Sequence, residues 1–276
     1  MKKKILALIM VLMFSVVFTG CAQEGNNPEE TAKTSAEVGT LAFVANGENF
    51  VRQGFTSKDG WAISFDHVYI NLADVTAYQT NPPYDPESGK QIESDKSVTL
   101  KGVHTVDLAE GDENAEPILL GKVEAPIGHY NAISWKLANA SKGVAQGNNL
   151  VIIGKAEKEG QVVDFNIKVD KQYQYLAGEY VGDERKGIVE ADKEADLEMT
   201  FHFDHIFGDI DTPADDGLNI GALGFDSLAR LAKEGKAELD MAGLKQGLTA
   251  DEYSKWLEIL PTLGHVGEGH AHAEEL

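Results

Sequence analysis

Residues 61–80 read WAISFDHVYINLADVTAYQT, and this stretch decides the fold. Its apolar side chains fall on alternate positions, first Trp61, Ile63 and Phe65 and then Val68, Ile70 and Leu72. Side chains of a strand point to opposite faces in turn, so the change of parity at Asp66 and His67 requires an extra residue or a bend. The stretch is therefore predicted to be a long strand with a β-bulge or corner at these two residues.

Further β-rich runs lie on both sides of this stretch. They span residues 40–45, 98–108, 118–123, 130–137, 150–156, 162–169 and 197–204. Segments rich in Gly, Pro, Asn and acidic residues separate several of them, and no helical pattern intervenes. The predicted fold is mainly β, an antiparallel β-sandwich (Ig-like or jelly-roll-like) over residues 40–210.

The apolar period changes after residue 210. Leu223, Leu228 and Leu231 approach helical spacing, and Gly235 is a plausible stop. Residues 249–260 form the clearest helical pattern, opened by Thr249 with Glu252 three residues later, a capping box. Residues 211–262 are predicted to be a small α-helical C-terminal appendage, followed by a His-rich tail at residues 263–276.

The first twenty residues have the features of a secretory signal peptide. Three lysines follow Met1, an apolar run extends from Ile5 to about Phe18, and the chain becomes polar after Cys21. The run is short for a transmembrane helix. The sequence Phe18-Thr19-Gly20-Cys21 resembles the lipobox of bacterial lipoproteins, although Phe18 replaces the commoner Leu.

This resemblance implies cleavage before Cys21 and lipidation of its side chain. The protein would then lie in the cell envelope, attached to a membrane on its extracytoplasmic side, periplasmic or at the cell surface. Residues 21–39 are small and polar without apolar periodicity, which is typical of a flexible tether. Residues 68–72 (VYINL) and 123–133 (VEAPIGHYNAI) are also similar to uncharacterised bacterial β-sandwich lipoprotein domains, and this resemblance supports the fold alone.

Composition narrows the range of functions. Cys21 is the only Cys of the 276 residues, so the chain can form neither an intramolecular disulfide nor a paired-Cys metal site. Without the lysines of the first twenty residues, 21 Lys and Arg face 45 Asp and Glu, and the formal charge changes from −21 to −24. Such a charge disfavours nucleic acid as a partner and favours cations.

Histidines supply the strongest chemical signal. Five of the eight lie in two clusters, residues 201–205 (FHFDH) and residues 264–272 (GHVGEGHAH). In the first cluster, strand alternation places His202 away from the apolar core face, and a carboxylate at Asp204 is close enough to orient an imidazole. In the second, three glycines allow the backbone to wrap closely around an ion.

These donors suit Zn, Cu, Ni or Fe, with Zn or Cu favoured. We predict that the appendage folds back, so that the tail meets the first cluster. His202, His205, His265 and His270 are the core ligands, and His67, Glu268 and His272 are secondary. His67 is included because Phe65-Asp66-His67 repeats the order of Phe203-Asp204-His205, whereas His104 and His129 are interpreted as ordinary strand or surface residues.

The sequence thus predicts binding of a transition metal for storage, sensing or delivery, with a metal-uptake or envelope protein as a partner. It contains no G-x-S-x-G element, P-loop or HExxH motif, so no enzyme activity is predicted. Two alternatives remain: a metal-free surface module that binds a protein or glycan, and a metal-dependent hydrolase. A calcium loop at residues 208–217 is disfavoured against an acidic surface loop, because Pro213 disturbs the EF-hand geometry.

Overall fold

The computed structural model describes residues 37–178, 181–182 and 186–276. The strands are β1 (Val38–Asn46), β2 (Phe55–Thr56), β3 (Ala62–Gln79), β4 (Lys96–Asp107), β5 (Ile118–Pro126), β6 (Gly128–His129), β7 (Ala132–Leu137), β8 (Leu150–Lys158), β9 (Gln161–Val169), β10 (Tyr173–Ala177), β11 (Ile188–Val189), β12 (Glu194–Phe201), β13 (Lys236–Leu239), β14 (Gly264–Val266), β15 (Gly269–His270) and β16 (His272–Glu275). The helices are α1 (Glu48–Gln53), α2 (Asp204–Phe207), α3 (Gly217–Gly221), α4 (Asp226–Ala229), α5 (Met241–Gly247) and α6 (Ala250–Ile259). The predicted signal peptide, Cys21 and most of the predicted tether lie outside the described residues.

The described strands form a β-sandwich with small helical parts, as the sequence predicts. One sheet has the order β15-β14-β12-β1-β5. The larger sheet has the order β13-β9-β8-β3-β7-β10-β16, with β2 and β4 also paired to β3, and β6 and β11 form a separate two-stranded sheet. The main hydrophobic core contains apolar residues from the first two of these sheets, and a small second cluster surrounds Ala140, Ala145 and Val151. Most strand pairs are antiparallel, as predicted, and the two pairs β1–β12 and β13–β9 are parallel, which the sequence did not indicate.

The long strand β3 organises the larger sheet. Its first half pairs with β8, and its second half lies between β4 and β7. The register shifts between Phe65 and His67, so the predicted bulge is confirmed. The buried parity changes there from Ile63 to Val68, which keeps both halves of the strand against the core.

Aromatic side chains fill the space between the sheets and beneath the helices. Trp135 and Tyr175 stack with ring centroids 5.2 Å apart, and the edge of Phe201 meets Trp135 at 6.3 Å. A second group surrounds Phe207 and consists of Phe55, Phe65, Phe165 and Phe225. Burial of large apolar rings is the main stabilising contribution in a chain that can form no internal disulfide.

The C-terminal segment is more closely joined to the sandwich than a separate appendage and tail would be. β14 pairs with β12 in the smaller sheet, whereas β16 pairs with β10 at the edge of the larger one. Residues 263–276 therefore add edge strands to both sheets. Their backbone groups complete two sheet edges that would otherwise be left unpaired.

The helices of this segment are short, with one exception. Helix α6 has the predicted capping box, in which the Thr249 hydroxyl accepts a hydrogen bond from the Glu252 amide and the Glu252 carboxylate accepts one from the Thr249 amide. In place of one helix around Leu223, Leu228 and Leu231, the chain forms the two short helices α3 and α4. The Asp59 carboxylate accepts hydrogen bonds from the amides of Phe225 and Asp226, and Gly224 has a positive φ of 82°, so the chain turns there. Among the described residues, no helix is both long enough and apolar enough to cross a bilayer.

Candidate metal centre

Three histidines from different elements meet at one end of the smaller sheet. His202 follows β12, His205 lies in α2 and His265 lies in β14. One ligand nitrogen from each of the three lies within 4.8 Å of the others. The ring centroids of His202 and His265 are 4.0 Å apart and nearly parallel, and the ring of His205 lies 5.0 Å from that of His265, edge to face.

Strand pairing brings the two histidine clusters together. β14 pairs with the end of β12, with Thr200 opposite His265, and the His202 amide donates to the Leu263 carbonyl. The chain then reverses at Gly267, whose φ is +53°, and β15 places His270 directly opposite His265. Side chains that face each other across such a pair lie on the same side of the hairpin, and the centroids of these two rings are 4.5 Å apart. The C-terminal tail therefore folds back onto the first histidine cluster, as the sequence suggested.

Thr262 determines which ring nitrogens are free. The Nε2 atom of His265 lies 3.0 Å from the Thr262 carbonyl, which can only accept, so this nitrogen carries the proton. The Thr262 hydroxyl donates to the Ile259 carbonyl and must therefore accept from Nδ1 of His205 at 2.9 Å. His265 Nδ1 and His205 Nε2 are left with lone pairs, the form in which imidazole binds a metal.

His202 completes the group from the buried side. Sequence alternation predicted a ring directed away from the core. Instead β12 ends at Phe201, the tail covers the next residue, and His202 is 9% exposed. Its Nε2 atom lies 3.3 Å from a Glu48 carboxylate oxygen but makes no well-directed hydrogen bond. Buried nitrogens without partners are rare in folded proteins, and both His202 Nε2 and His265 Nδ1 are such atoms.

Burial keeps the three imidazoles neutral. It lowers the pKa of His265 to about 3 and that of His205 to about 4, with repulsion between the neighbouring rings as a further cause. The pKa of His202 is lowered as well, chiefly by burial, although the nearby charges of Asp204 and Glu268 oppose the change. A neutral imidazole is a metal ligand and a charged one is not, so this environment holds all three rings in the binding form at neutral pH.

Three carboxylates lie around the group. Burial raises the pKa values of both Glu48 and Asp204, and the charge of Glu268 raises that of Glu48 further. One oxygen of Asp204 is buried without a hydrogen-bond partner. Glu48 has a positive φ of 61°, which is uncommon for a residue with a side chain and often marks a functional position.

Glu48 and Asp204 were absent from the ligands predicted from the sequence. Asp204 could have been selected, because it lies between His202 and His205. Glu48 carries no such signal. It follows β1, and only the parallel pairing of β1 with β12 brings it to His202.

The remaining predicted ligands have different positions. His67 is hydrogen-bonded to Asp107 at 2.7 Å and stacks on Tyr69, and it is not one of the three histidines that meet. His272 lies in the edge strand β16, with Glu274 3.5 Å away, and is not a member of the group either. Residues 65–67 and 203–205 have the same order of residue types but different backbone structures. The first triplet forms the bulge of β3, whereas the second begins α2.

The geometry fits a nitrogen-ligated transition metal. Tetrahedral Zn–N bonds of about 2.0–2.1 Å place the nitrogens roughly 3.3 Å apart. Nitrogens that lie within 4.8 Å of one another would close to this separation through ring movements of about 1 Å. The exposed ring of His270 is next to His265 and is the nearest candidate for a fourth ligand.

A cleft opens beside the histidines. It has a volume of about 470 Å³, and His205 and His270 form part of its lining. The opposite wall belongs to α3 and α6, with apolar surface from Leu218, Ala222 and Ile259 and a carboxylate from Glu258. Lys58 holds this wall in place, since its ammonium donates to the carbonyls of Asn219 and Ala222.

Comparison with known proteins gives little further information. No protein-family model and no curated protein sequence matches the chain. One solved structure, described as that of a candidate cell adhesion protein from Bacteroides eggerthii, matches with a TM-score of 0.21 at 11% identity. The match covers 63% of this chain and 47% of that protein, so less than half of the other protein is involved.

Proposed function

We propose that the protein binds one transition metal ion, Zn or Cu before Ni or Fe, through His202, His205 and His265, with His270 as the fourth protein ligand. The observation that carries this proposal is the set of three neutral imidazoles with nitrogens within 4.8 Å of one another. Two of these rings, His202 and His265, each have a buried nitrogen without a hydrogen-bond partner. Removing a polar nitrogen from water without a hydrogen bond costs free energy, which a bound ion offsets.

The test is elemental analysis of protein purified without a His tag. We expect about one equivalent of metal per chain, and loss of that metal in His202→Ala and His265→Ala. The matched controls are His67→Ala and His104→Ala, which change histidines that bond elsewhere, to Asp107 and to the Lys101 carbonyl. Metal at full occupancy in a His202→Ala/His265→Ala double variant would contradict the proposal.

The same measurements separate the alternatives. A folded protein that retains no metal after dialysis against each of the four ions supports a surface module that binds a protein or glycan. Metal-dependent hydrolysis of an ester or phosphoester probe, abolished in His265→Ala, supports a hydrolase instead of a binding protein. Storage or delivery predicts stoichiometric binding without turnover.

We also propose that lipid on Cys21 attaches the protein to a membrane outside the cytoplasm. The support is the lysine-rich start, the apolar run and the sequence Phe18-Thr19-Gly20-Cys21. Cell fractionation should place the wild-type protein with the membranes and labelled fatty acid should be incorporated, whereas Cys21→Ser should lose the label. Incorporation of label into Cys21→Ser would contradict this part of the proposal.

A further inference from the structure

We infer that the cleft beside His205 and His270 is the site of a small organic ligand, which combines a metal-binding nitrogen, an apolar body and a cationic amine. This inference rests on the proposed metal site, because the ligand's nitrogen would bind the ion as a fifth ligand beside the four histidines, an expansion that such ions accept. The cleft lies where the histidine group meets solvent, and its volume of about 470 Å³ falls within the range of small-molecule sites.

The walls define the body of the ligand. Ala222 and Ile259 are buried, and Leu218 is half-buried, so the middle of the cleft is apolar. Gly217 and Gly221 line the same space, and a Cβ atom added at either glycine would meet no atom within 4 Å. The cleft is therefore open at both positions rather than filled by neighbouring side chains.

The charges around the cleft indicate a cationic group at the far end of the ligand. The exposed Glu258 carboxylate lines the cleft and accepts a hydrogen bond from the Ser254 hydroxyl. Lys255, on the same helix, donates its ammonium to the Ile220 carbonyl. Glu48, Asp204 and Glu268 add negative charge on the histidine side, and the whole chain carries −21. A cation is favoured in such a field and an anionic chelator is disfavoured.

The test uses the full chain loaded with Co(II), whose visible absorption reports its ligands. The probe is 1-(3-aminopropyl)imidazole, which has one donor nitrogen, an apolar linker and an amine. Imidazole lacks the linker and amine, and 1-propylimidazole lacks the amine. We expect the probe to change the cobalt spectrum and to bind at least tenfold more tightly than imidazole, with 1-propylimidazole between them.

Two variants locate the binding. Gly221→Phe should fill the cleft and weaken probe binding at least tenfold while the protein keeps one equivalent of cobalt. Ile220→Phe is the matched control, because its side chain is 60% exposed on the same helix and is not part of the lining. Glu258→Gln should reduce the advantage of the probe over 1-propylimidazole.

The outcomes separate the two proposals. Absence of stoichiometric cobalt from the wild-type protein means that the metal site itself fails, and the cleft inference with it. Full cobalt content with equal probe affinity in Gly221→Phe and Ile220→Phe overturns the cleft inference alone. Full cobalt content and no spectral change with the probe also overturns it.

Discussion

The rings of His202 and His265 stack with centroids 4.0 Å apart and an interplanar angle of 17°. The first ring follows a strand of the sandwich and the second lies in the last part of the chain, beyond α6. Each has a buried nitrogen without a hydrogen-bond partner. Two neutral aromatic rings pack together at little cost, but their unpaired buried nitrogens need an ion as a partner. Four predictions follow from this need or from the elements that support the two rings.

Metal binding should stabilise the folded protein. At a free concentration of one hundred times the Kd, a single site raises the free energy of unfolding by about 2.7 kcal/mol. We expect this gain in denaturant titrations of the wild-type protein with Zn and its reversal by a chelator. His202→Ala and His265→Ala should show no gain, whereas the control His104→Ala should show the wild-type gain. Equal gains in all four proteins would place the metal elsewhere.

The metal-free protein should lose stability as the pH falls below neutral. His265 has a pKa of about 3 when folded and an ordinary value near 6.5 when unfolded, so the unfolded chain binds more protons between these values. Stability contributed by this group is therefore complete above about pH 6.5 and decreases towards pH 3, by about 2 kcal/mol for His265 alone at pH 5. Burial raises the pKa values of Glu48 and Asp204, which gives their contributions the opposite slope.

Comparison with His265→Phe isolates the contribution of His265 to this pH dependence, because a phenyl ring cannot be protonated. Chemical denaturation of both metal-free proteins at pH 7, 6 and 5 should show a steeper decrease for the wild type. The carboxylates are present in both proteins and largely cancel. Identical slopes would mean that His265 is not held neutral by the fold.

Gly264 controls the position of the histidines from outside the group. A Cβ atom at this position would lie 2.5 Å from the Tyr175 ring and 3.0 Å from Trp135. Gly264→Ala should therefore displace β14 and cost about 1–3 kcal/mol of stability. It should also weaken metal binding, although no ligand is changed. Gly217→Ala, where an added Cβ meets nothing, is the control, and matching stability and affinity in the two variants would contradict the prediction.

The cap of α6 should affect stability but not the metal. Thr249→Ala removes the side chain that caps the first turn and should cost about 1 kcal/mol. Glu252 supports the same turn. Its burial is outweighed by hydrogen bonds from Ser227, Arg230 and Thr249, which hold its pKa at about 2. Thermal unfolding measures the loss, with Ser254→Ala as the control. A change in metal stoichiometry in Thr249→Ala would link the helix directly to the site.

Local patterns in the sequence were sufficient for the strands of six or more residues, but they did not indicate the shorter strands β2, β6, β10 and β11. The bulge of β3 and the capping box of α6 each depend on a few neighbouring residues, and both are present. The sequence did not indicate β13 or the strands β14 to β16. These are short and become strands through pairing with residues distant in the chain, so periodicity over a few positions carries little information about them.

The candidate site shows the same division. The sequence by itself determined that the chain has a β-sandwich and that histidines are concentrated at residues 202–205 and 265–272. Only the tertiary structure decided which of them meet, since the pairing of β12 with β14 brings His202 next to His265. Thr262 orients the rings of His205 and His265, and the pairing of β1 with β12 places Glu48 beside His202. The tertiary structure also left His67 and His272 outside this group. Alternation and spacing are properties of near neighbours, whereas a metal site depends on long-range pairing and on burial, which together set the distance between rings and their protonation.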